Sequence, residues 1–195
     1  MDARTLDPDP LRQFHAWFNE ARAVVAAPEA AAVATADAAG SPSLRMILVK
    51  SVDARGFAFF TNRESRKAAE LTANPRAALL FHWAPLGRQV RVEGAVARVA
   101  DDEAAAYFRT RPLGSRLAAW ASPQSRPLGG RAELEGRLRE VASRWGEEPP
   151  LPPHWGGFRV VPDAYEFWQH GDDRLHHRVR YAPAGEGWRR ELLAP

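Results

Sequence analysis

The chain has 195 residues, of which 45% are hydrophobic and 26% charged, and its formal net charge at pH 7 is +3. These values are typical of one globular domain, and the absence of cysteine excludes a disulfide framework, a thiolate nucleophile and a cysteine-ligated metal centre. We expect a cytoplasmic protein that binds small anions rather than nucleic acid or a membrane, because the sequence contains no signal peptide, membrane span or nucleic-acid motif.

The first half of the chain is predicted to begin with a helix and continue as strands. Asp9 and Pro10 are typical of a helix start, and apolar residues then recur at helical spacing as far as Val25. Gly87 and Gly94 indicate a turn and a bulge or bend. The following runs predict an antiparallel meander with strands over residues 31–37, 43–52, 57–61, 76–83 and 89–99.

The middle of the chain is predicted to be helical, and the end returns to strands. Asp101 can cap a helix that runs to Phe108, Pro112 interrupts it, and a short helix follows Ser115. An apolar stripe predicts another helix over residues 131–145. The last strands are expected over residues 158–161, 165–169, 175–181 and 188–193.

This order of elements predicts the fold class. Strands at both ends with helices between them indicate an α+β fold whose antiparallel sheet closes as a barrel with accessory helices. We expect a single domain over residues 1–195, in which residues 1–8 form a flexible lead.

One candidate phosphate site lies where a strand gives way to a helix over residues 68–73. Ser65, Arg66 and Lys67 would place a hydroxyl and two cations beside the unpaired N–H groups of the helix start, where the helix dipole also favours an anion. On this segment alone, the alternative is a solvated helix end with incidental basic residues.

A second candidate phosphate site combines Tyr107, Arg111 and Ser115. Tyr107 and Arg111 share a helix face because they are four residues apart, and Ser115 is placed to cap the helix that follows Pro112. A half-buried core tyrosine and a helix-end arginine are the alternatives.

A row of cationic or titratable residues is predicted on the strand over residues 175–181 and just before it. Strand alternation would place Arg174, His176 and Arg178 on one face and His177 on the other. Such groups disfavour one another unless an anion or a polar ligand lies over them. The alternative is an exposed polar strand face.

Three further residues are suited to a flat heteroaromatic ligand. Trp168 can stack on a ring, while the amides of Gln89 and Gln124 can both donate and accept hydrogen bonds at a ring edge. None of the three is specific by itself, since a tryptophan beside Phe167 is also typical of core packing.

Taken together, these segments resemble the pyridoxamine 5′-phosphate oxidase family from about Asp9 to Pro195. Many motifs in the same order are far more specific than any one of them. The matching segments are SLRMILVK at residues 43–50, FFTN at 59–62, SRK at 65–67, RQVR at 88–91, QS at 124–125, WGG at 155–157, EFWQ at 166–169 and RLH at 174–176, together with Tyr107-Phe108 and Arg111-Pro112.

The resemblance implies a split β-barrel that binds FMN as a homodimer, with the two subunits sharing each flavin. The residues that it places around FMN are Arg45, Lys50, Phe60, Thr61, Ser65, Arg66, Lys67, Gln89, Gln124, Ser125, Trp168 and Arg178. The resemblance assigns one of the two candidate phosphate sites to the cofactor and the other to the substrate.

The resemblance also implies the reaction, which is oxidation of pyridoxamine or pyridoxine 5′-phosphate to pyridoxal 5′-phosphate with reduction of oxygen to hydrogen peroxide. Arg174 and His176 would lie over the pyridine ring as the catalytic residues. The residues that it places around the substrate are Lys50, Tyr107, Arg111, Ser115, Arg174 and His176. The alternatives are an oxidase of another ring, as in phenazine biosynthesis, and a non-catalytic protein that binds flavin or pyridoxal phosphate.

Three features depart from the family pattern or complicate it. Phe60 stands where the family usually has tyrosine, and His177 where it commonly has aspartate. Arg45 and Lys50 are five residues apart, so an uninterrupted strand would aim them to opposite faces. A bulge, a strand end or a shared subunit interface is therefore expected near them.

Overall fold

The structure, a computed structural model, describes residues 5–195. Its helices are α1 (Pro10–Arg22), α2 (Arg66–Ala73), α3 (Asp101–Thr110), α4 (Leu113–Ala121) and α5 (Arg131–Trp145). Its strands are β1 (Ala30–Ala36), β2 (Pro42–Asp53), β3 (Gly56–Asn62), β4 (Arg76–Trp83), β5 (Arg88–Arg98), β6 (Trp155–Gln169), β7 (His177–Ala184) and β8 (Gly187–Leu193). Within residues 5–195 none of the helices has the length and apolar character that crossing a membrane requires.

The strands close into the predicted antiparallel barrel. Their order in the sheet is β3, β2, β1, β4, β5, β6, β7 and β8, and β3 pairs with β6 as well as with β2. The β3–β6 pairing closes a ring of six strands, while β7 and β8 extend the sheet beyond β6. The α+β split-barrel fold expected from the sequence is therefore confirmed.

The barrel is split because β2 pairs with β3 along only part of its length. Their ladder runs from Val49 opposite Phe59 to Asp53 opposite Gly56, and it contains a register shift between Val49 and Ser51. Residues 42–48 of β2 pair with β1 on their other side. An irregularity of this kind bends a strand and leaves a residue outside the regular ladder. Here it opens a gap between the first half of β2 and its neighbour.

The sequence predicted two strands over residues 158–161 and 165–169, but the structure contains a single strand, β6. Pro162 lies opposite Gly94, where the pairing of β5 with β6 shifts register between Glu93 and Gly94. At a bulge the missing N–H of proline interrupts no regular ladder bond, so the strand continues through it. The expectation of a bulge or bend at Gly94 is confirmed.

The first helix packs into the barrel and forms much of its core. Asp9 caps α1 by accepting a hydrogen bond from the N–H of Leu11, as predicted. Phe14 is fully buried, and its ring lies 4.9 Å from that of Phe57 between centroids. Of the lead expected to be flexible, residues 1–4 lie outside the described part of the chain. Leu6, by contrast, is buried in the core, so the expectation does not hold there.

Helix α3 is attached to the barrel by a buried ion pair. The Arg159 side chain of β6 is 7% exposed, and its guanidinium lies 2.5 Å from a carboxylate oxygen of Glu103 in α3 and 3.2 Å from one of Asp53. The helix cap is Ala100 rather than Asp101, which is instead the first helical residue. An acidic residue there still favours the helix start through the dipole. This ion pair holds α3 against β6 together with a buried apolar cluster of Ala104, Phe108 and Trp155.

The bulge at Gly94 yields a stability prediction. A Cβ atom on Gly94 would overlap the carbonyl oxygen of Val161, which is backbone and has no alternative rotamer. We expect Gly94→Ala to lower the free energy of unfolding by about 1–3 kcal/mol, the usual cost of overpacking. Urea unfolding at one fixed protein concentration measures this change.

Gly136 supplies the matched control for that substitution. It lies in the middle of α5, where a Cβ atom would meet only the end of the Arg139 side chain at 3.9 Å. Gly136→Ala should raise the free energy of unfolding by about 0.5–1 kcal/mol because alanine favours helix. Equal unfolding midpoints for the two variants would contradict this account of the bulge.

Candidate active site

The largest cavity opens at the split of the barrel, beside the first half of β2. Its volume is about 810 Å³, which is in the range of small-molecule sites. Eleven residues predicted from the sequence line it: Arg45, Lys50, Phe60, Thr61, Arg66, Lys67, Tyr107, Arg111, Ser115, Gln124 and Ser125. The structure therefore brings the two candidate phosphate sites into one cavity.

Arg45 and Lys50 reach the same cavity despite their spacing. The register shift between Val49 and Ser51 places Lys50 outside the regular ladder, so strand alternation does not continue through it. The Lys50 ammonium lies 3.5 Å from a carboxylate oxygen of Glu29. The sequence left three explanations open for the placement of Arg45 and Lys50, and the structure shows that a bulge is present.

The start of α2 supplies cations to one side of the cavity. Ser65 precedes the helix and is fully buried, but its side chain does not cap it. The ammonium of Lys67 donates to the hydroxyl of Thr61 at 3.0 Å. Burial, followed by the charge of Arg45, lowers the pKa of Lys67. Of the predicted cradle residues, Arg66 and Lys67 line the cavity, whereas Ser65 does not.

A buried carboxylate that the sequence reading missed joins these cations. Glu70 of α2 is 5% exposed, and its Oε1 accepts a 2.7 Å hydrogen bond from Nε of Arg66. Its Oε2 accepts from Thr35, from Ser43 at 2.5 Å and from Arg45 at 3.2 Å. Burial alone would raise the pKa of Glu70, but the hydrogen bonds outweigh it and lower the pKa to about 2. The only signal in the sequence was the spacing of four residues from Arg66.

The loop after α4 closes another side of the cavity. Oε1 of Gln124 accepts hydrogen bonds from the Thr61 hydroxyl at 3.1 Å and from the Asn62 N–H at 3.4 Å. Ser125 follows with a φ of 73°, in the left-handed region. Gln124 is thus held against the end of β3, and Ser125 lines the cavity beside it.

The opposite wall combines stacked rings with a buried guanidinium. The ring of Phe60 stacks on Tyr107 at 4.3 Å and on Trp155 at 5.4 Å between centroids. Arg111 lies over Trp155, and its buried Nη1 has no hydrogen-bond partner among residues 5–195. Burial lowers the pKa of Arg111 and raises that of Tyr107. A buried donor without a partner is costly, so this wall is suited to bind an anion.

Ser115 lines the cavity but does not cap a helix, which corrects the prediction. Helix α4 begins at Leu113, and Pro112 occupies the cap position with a φ of −52°. The fixed φ of proline is already compatible with a helix start, so the helix begins before Ser115. Its hydroxyl lies in the first turn.

The remaining predicted residues form a second group that lies outside this cavity. Gln89, Trp168 and Arg178 are neighbours across β5, β6 and β7. The ring of His176 lies 4.7 Å from that of Trp168 between centroids. Arg178 forms an ion pair with Glu166 at 2.8 Å. Within one copy of the chain, this second group of residues therefore lies apart from the cavity.

Arg174 and His176 are not on a strand, so the predicted row on one strand face was wrong for them. β7 begins at His177, and Arg174 lies in a 3₁₀ turn with a φ of 63°. The turn folds back so tightly that a Cβ atom on Gly171 would overlap the carbonyl oxygen of Leu175. The N–H of Gly171 donates to Nδ1 of His176 at 3.3 Å. A loop, rather than strand alternation, therefore orients both side chains.

Comparison with known protein families identifies two matches that together cover most of the chain. Residues 18–145 match the family described as pyridoxamine 5′-phosphate oxidase. Residues 155–195 match the family described as the pyridoxine 5′-phosphate oxidase C-terminal dimerisation region. Together these two matches extend over both groups of site residues.

Three similar proteins illustrate the relationship. A pyridoxine/pyridoxamine 5′-phosphate oxidase of Anaeromyxobacter dehalogenans is 60% identical over 192 residues, with 96% of each chain covered. That of Cupriavidus taiwanensis is 58% identical over 190 residues, which cover 96% of this chain and 90% of the relative. The crystal structure of PhzG from Burkholderia lata 383, in complex with tetrahydrophenazine-1-carboxylic acid, superposes with a TM-score of 0.93 at 33% identity and covers 99% of this chain and 96% of that one. From its fold, its cavity and these similarities, the chain belongs to the pyridoxamine 5′-phosphate oxidase family.

Proposed function

We propose that this protein is an FMN-dependent oxidase that converts pyridoxamine 5′-phosphate and pyridoxine 5′-phosphate to pyridoxal 5′-phosphate. The observation that carries the proposal is the presence of two anion sites in one cavity. Arg45, Arg66 and Lys67 line one part of it, and the unpartnered guanidinium of Arg111 lines another. Two such sites match a phosphorylated cofactor and a phosphorylated substrate. Membership of the family supports the assignment.

The residues on the α2 side fit the phosphate and ring of FMN. Arg45, Arg66 and Lys67 would hold the phosphate beside a helix start, where N–H groups and the dipole favour an anion. Gln124 and Ser125 would meet the ring edge. When bound, the flavin accepts two electrons from the substrate and passes them to oxygen, which becomes hydrogen peroxide.

The residues on the α3 side fit the phosphate of the substrate. Arg111 supplies an unpaired charged donor, and Tyr107, Ser115 and Lys50 supply a phenol, a hydroxyl and an ammonium in the same cavity. Binding the phosphate away from the reacting carbon orients the pyridine ring, so binding energy is used at the reacting centre.

Arg174 and His176 would complete the site from a second copy of the chain. Residues 155–195 match a family described as a dimerisation region, and this segment contains both residues. Arg174 is exposed and makes no ion pair among residues 5–195, so it is available to a substrate. In neutral His176 the hydrogen bond from Gly171 leaves the proton on Nε2, so the ring presents a donor. We therefore infer a homodimer with sites shared between its subunits.

The reaction balances with these assignments. The 4′-carbon of the substrate loses two electrons as a hydride, and its oxygen or nitrogen loses a proton. Pyridoxine phosphate gives the aldehyde directly, whereas pyridoxamine phosphate gives an imine that water converts to aldehyde and ammonia. Arg174 and His176 orient the ring and stabilise charge on it during this transfer.

A second candidate is oxidation of another ring on the same barrel, favoured by the close superposition on PhzG. The phosphate-binding set of Lys50, Tyr107, Arg111 and Ser115 argues for a phosphorylated substrate instead. Purified protein should show a flavin visible spectrum and consume oxygen with each phosphorylated vitamer, forming aldehyde. Bound flavin with no oxygen uptake would indicate a binding protein, and colourless protein that ignores added FMN would refute the proposal.

The unpartnered guanidinium predicts how one substitution changes the kinetics. Arg111→Ala should raise KM for pyridoxine 5′-phosphate by about 10- to 100-fold, the usual value of a hydrogen bond to a charged group. The flavin spectrum should be unchanged, since Arg111 is assigned to the substrate. Steady-state oxygen uptake measures KM. Arg109→Ala is the matched control, because Arg109 is exposed in the last turn of α3, two residues before Arg111, and an equal effect in both variants would argue against the assignment.

The loop before β7 yields a second kinetic prediction. Arg174→Ala should lower kcat by about 100-fold or more while FMN stays bound, because an oriented charge is lost at the reacting ring. Anaerobic reduction of bound flavin by substrate measures the step directly. His177→Asp, which changes an exposed residue three positions after Arg174, should stay within a few-fold of the parent protein. Unchanged turnover in Arg174→Ala would remove this residue from the mechanism.

A further inference from the structure

The cluster of cations at the start of α2 has an electrostatic cost. Arg45, Arg66 and Lys67 line the same part of the cavity, and like charges repel more strongly where water is excluded. The lowered pKa of Lys67 has burial as its first cause and the charge of Arg45 as its second. Without a counter-charge, the guanidiniums would turn toward solvent whenever no anion is bound.

Glu70 supplies this counter-charge from behind the cavity. One carboxylate oxygen accepts from Arg66 and the other from Arg45, so a single side chain joins the two guanidiniums. Glu70 itself does not line the cavity. Arg66 donates to it through Nε, and neither terminal nitrogen of Arg66 forms a hydrogen bond within residues 5–195. Those terminal nitrogens remain available to an anion.

The hydroxyls around Glu70 hold the carboxylate itself in place. Thr35 of β1 and Ser43 of β2 both donate to Oε2, and Arg45 also donates to the Thr35 hydroxyl at 2.5 Å. Glu70 is thereby fixed to two strands of the barrel, although it belongs to α2. A fully satisfied buried network of this kind is rigid, whereas a partly satisfied one is costly.

We propose that Glu70 is a positioning residue, which holds Arg45 and Arg66 in the orientation that binds the phosphate of FMN. This inference rests on the proposed function, since it assigns these arginines to the cofactor. Three cations and one carboxylate leave two positive charges, which match a phosphate monoester of about −1.5 to −2 at pH 7. Glu70 thus holds the arginines in place, and the site still keeps a net positive charge that complements the phosphate.

For Glu70→Gln, the positioning role and simple electrostatics predict opposite changes in the affinity for FMN. If Glu70 acted only as a negative charge near an anion, Glu70→Gln would tighten FMN binding. As a positioning residue it should weaken FMN binding by tenfold or more. The amide of glutamine can still accept from the hydroxyls, but its NH₂ group then faces a guanidinium, and donors cannot bond to donors.

The experiment compares FMN with riboflavin, which has the same ring and no phosphate. Both flavins are titrated into flavin-depleted full-length protein, and binding is followed by fluorescence quenching. For Glu70→Gln we expect the tenfold loss with FMN and less than a twofold change with riboflavin. Glu64→Gln is the matched control, because Glu64 is also beside the start of α2 but is exposed and paired with Arg126. It should leave FMN binding unchanged or slightly tighter.

Each outcome decides between distinct explanations. FMN binding as tight as in the parent protein, or tighter, overturns the proposal, and so does an equal loss for both flavins, which would indicate a purely structural role. If Glu70→Gln does not fold, Glu70→Asp replaces it: the charge stays, but the shorter side chain cannot reach both arginines, so the same selective loss is expected. Parent protein that fails to bind FMN refutes the proposed function instead.

Discussion

The structure depends on one interruption in hydrogen bonding between two neighbouring strands. β3 pairs with β6 along its length, which closes the barrel, but it pairs with β2 only from Val49 onward, on either side of the bulge at Lys50. The first half of β2 is consequently free on one side, and the cavity lies at that edge. Helix α2, which directly follows β3, then brings its amino terminus to the same place. The site exists because the first half of β2 is not hydrogen-bonded to β3.

Cations line both sides of the cavity, and the two sides differ in how these charges are compensated. On the α2 side the buried carboxylate of Glu70 compensates the arginines. On the α3 side no carboxylate pairs with Arg111 within residues 5–195, and its buried Nη1 has no hydrogen-bond partner beside the aromatic wall. The first side is thus preorganised, whereas the second is left with an unsatisfied donor. This asymmetry agrees with a resident cofactor on one side and an exchanging substrate on the other.

Local sequence signals were accurate for several elements, although the helix caps predicted at Asp101 and Ser115 were wrong. The cap at Asp9, the bulge at Gly94 and the meander strands follow from residue type and spacing, and the five meander strands, β1 to β5, begin within one residue of expectation. Other predictions failed at a tight local turn and at contacts between residues that are distant in sequence. Strand alternation was extended to Arg174 and His176, but the tight turn at Gly171 takes precedence there. Glu70 was missed because its partners Thr35 and Ser43 are distant in sequence.

The sequence by itself determined the family, the fold class and the set of residue types that can bind two phosphates. These depend on motifs in a fixed order and on periodicity, both of which are local properties of a chain. Only the tertiary structure decided which of those residues share a cavity and which charges are compensated. Ring closure and the bulge at Lys50 set those distances, and hydrogen bonding between strands far apart in sequence is not encoded in any single segment.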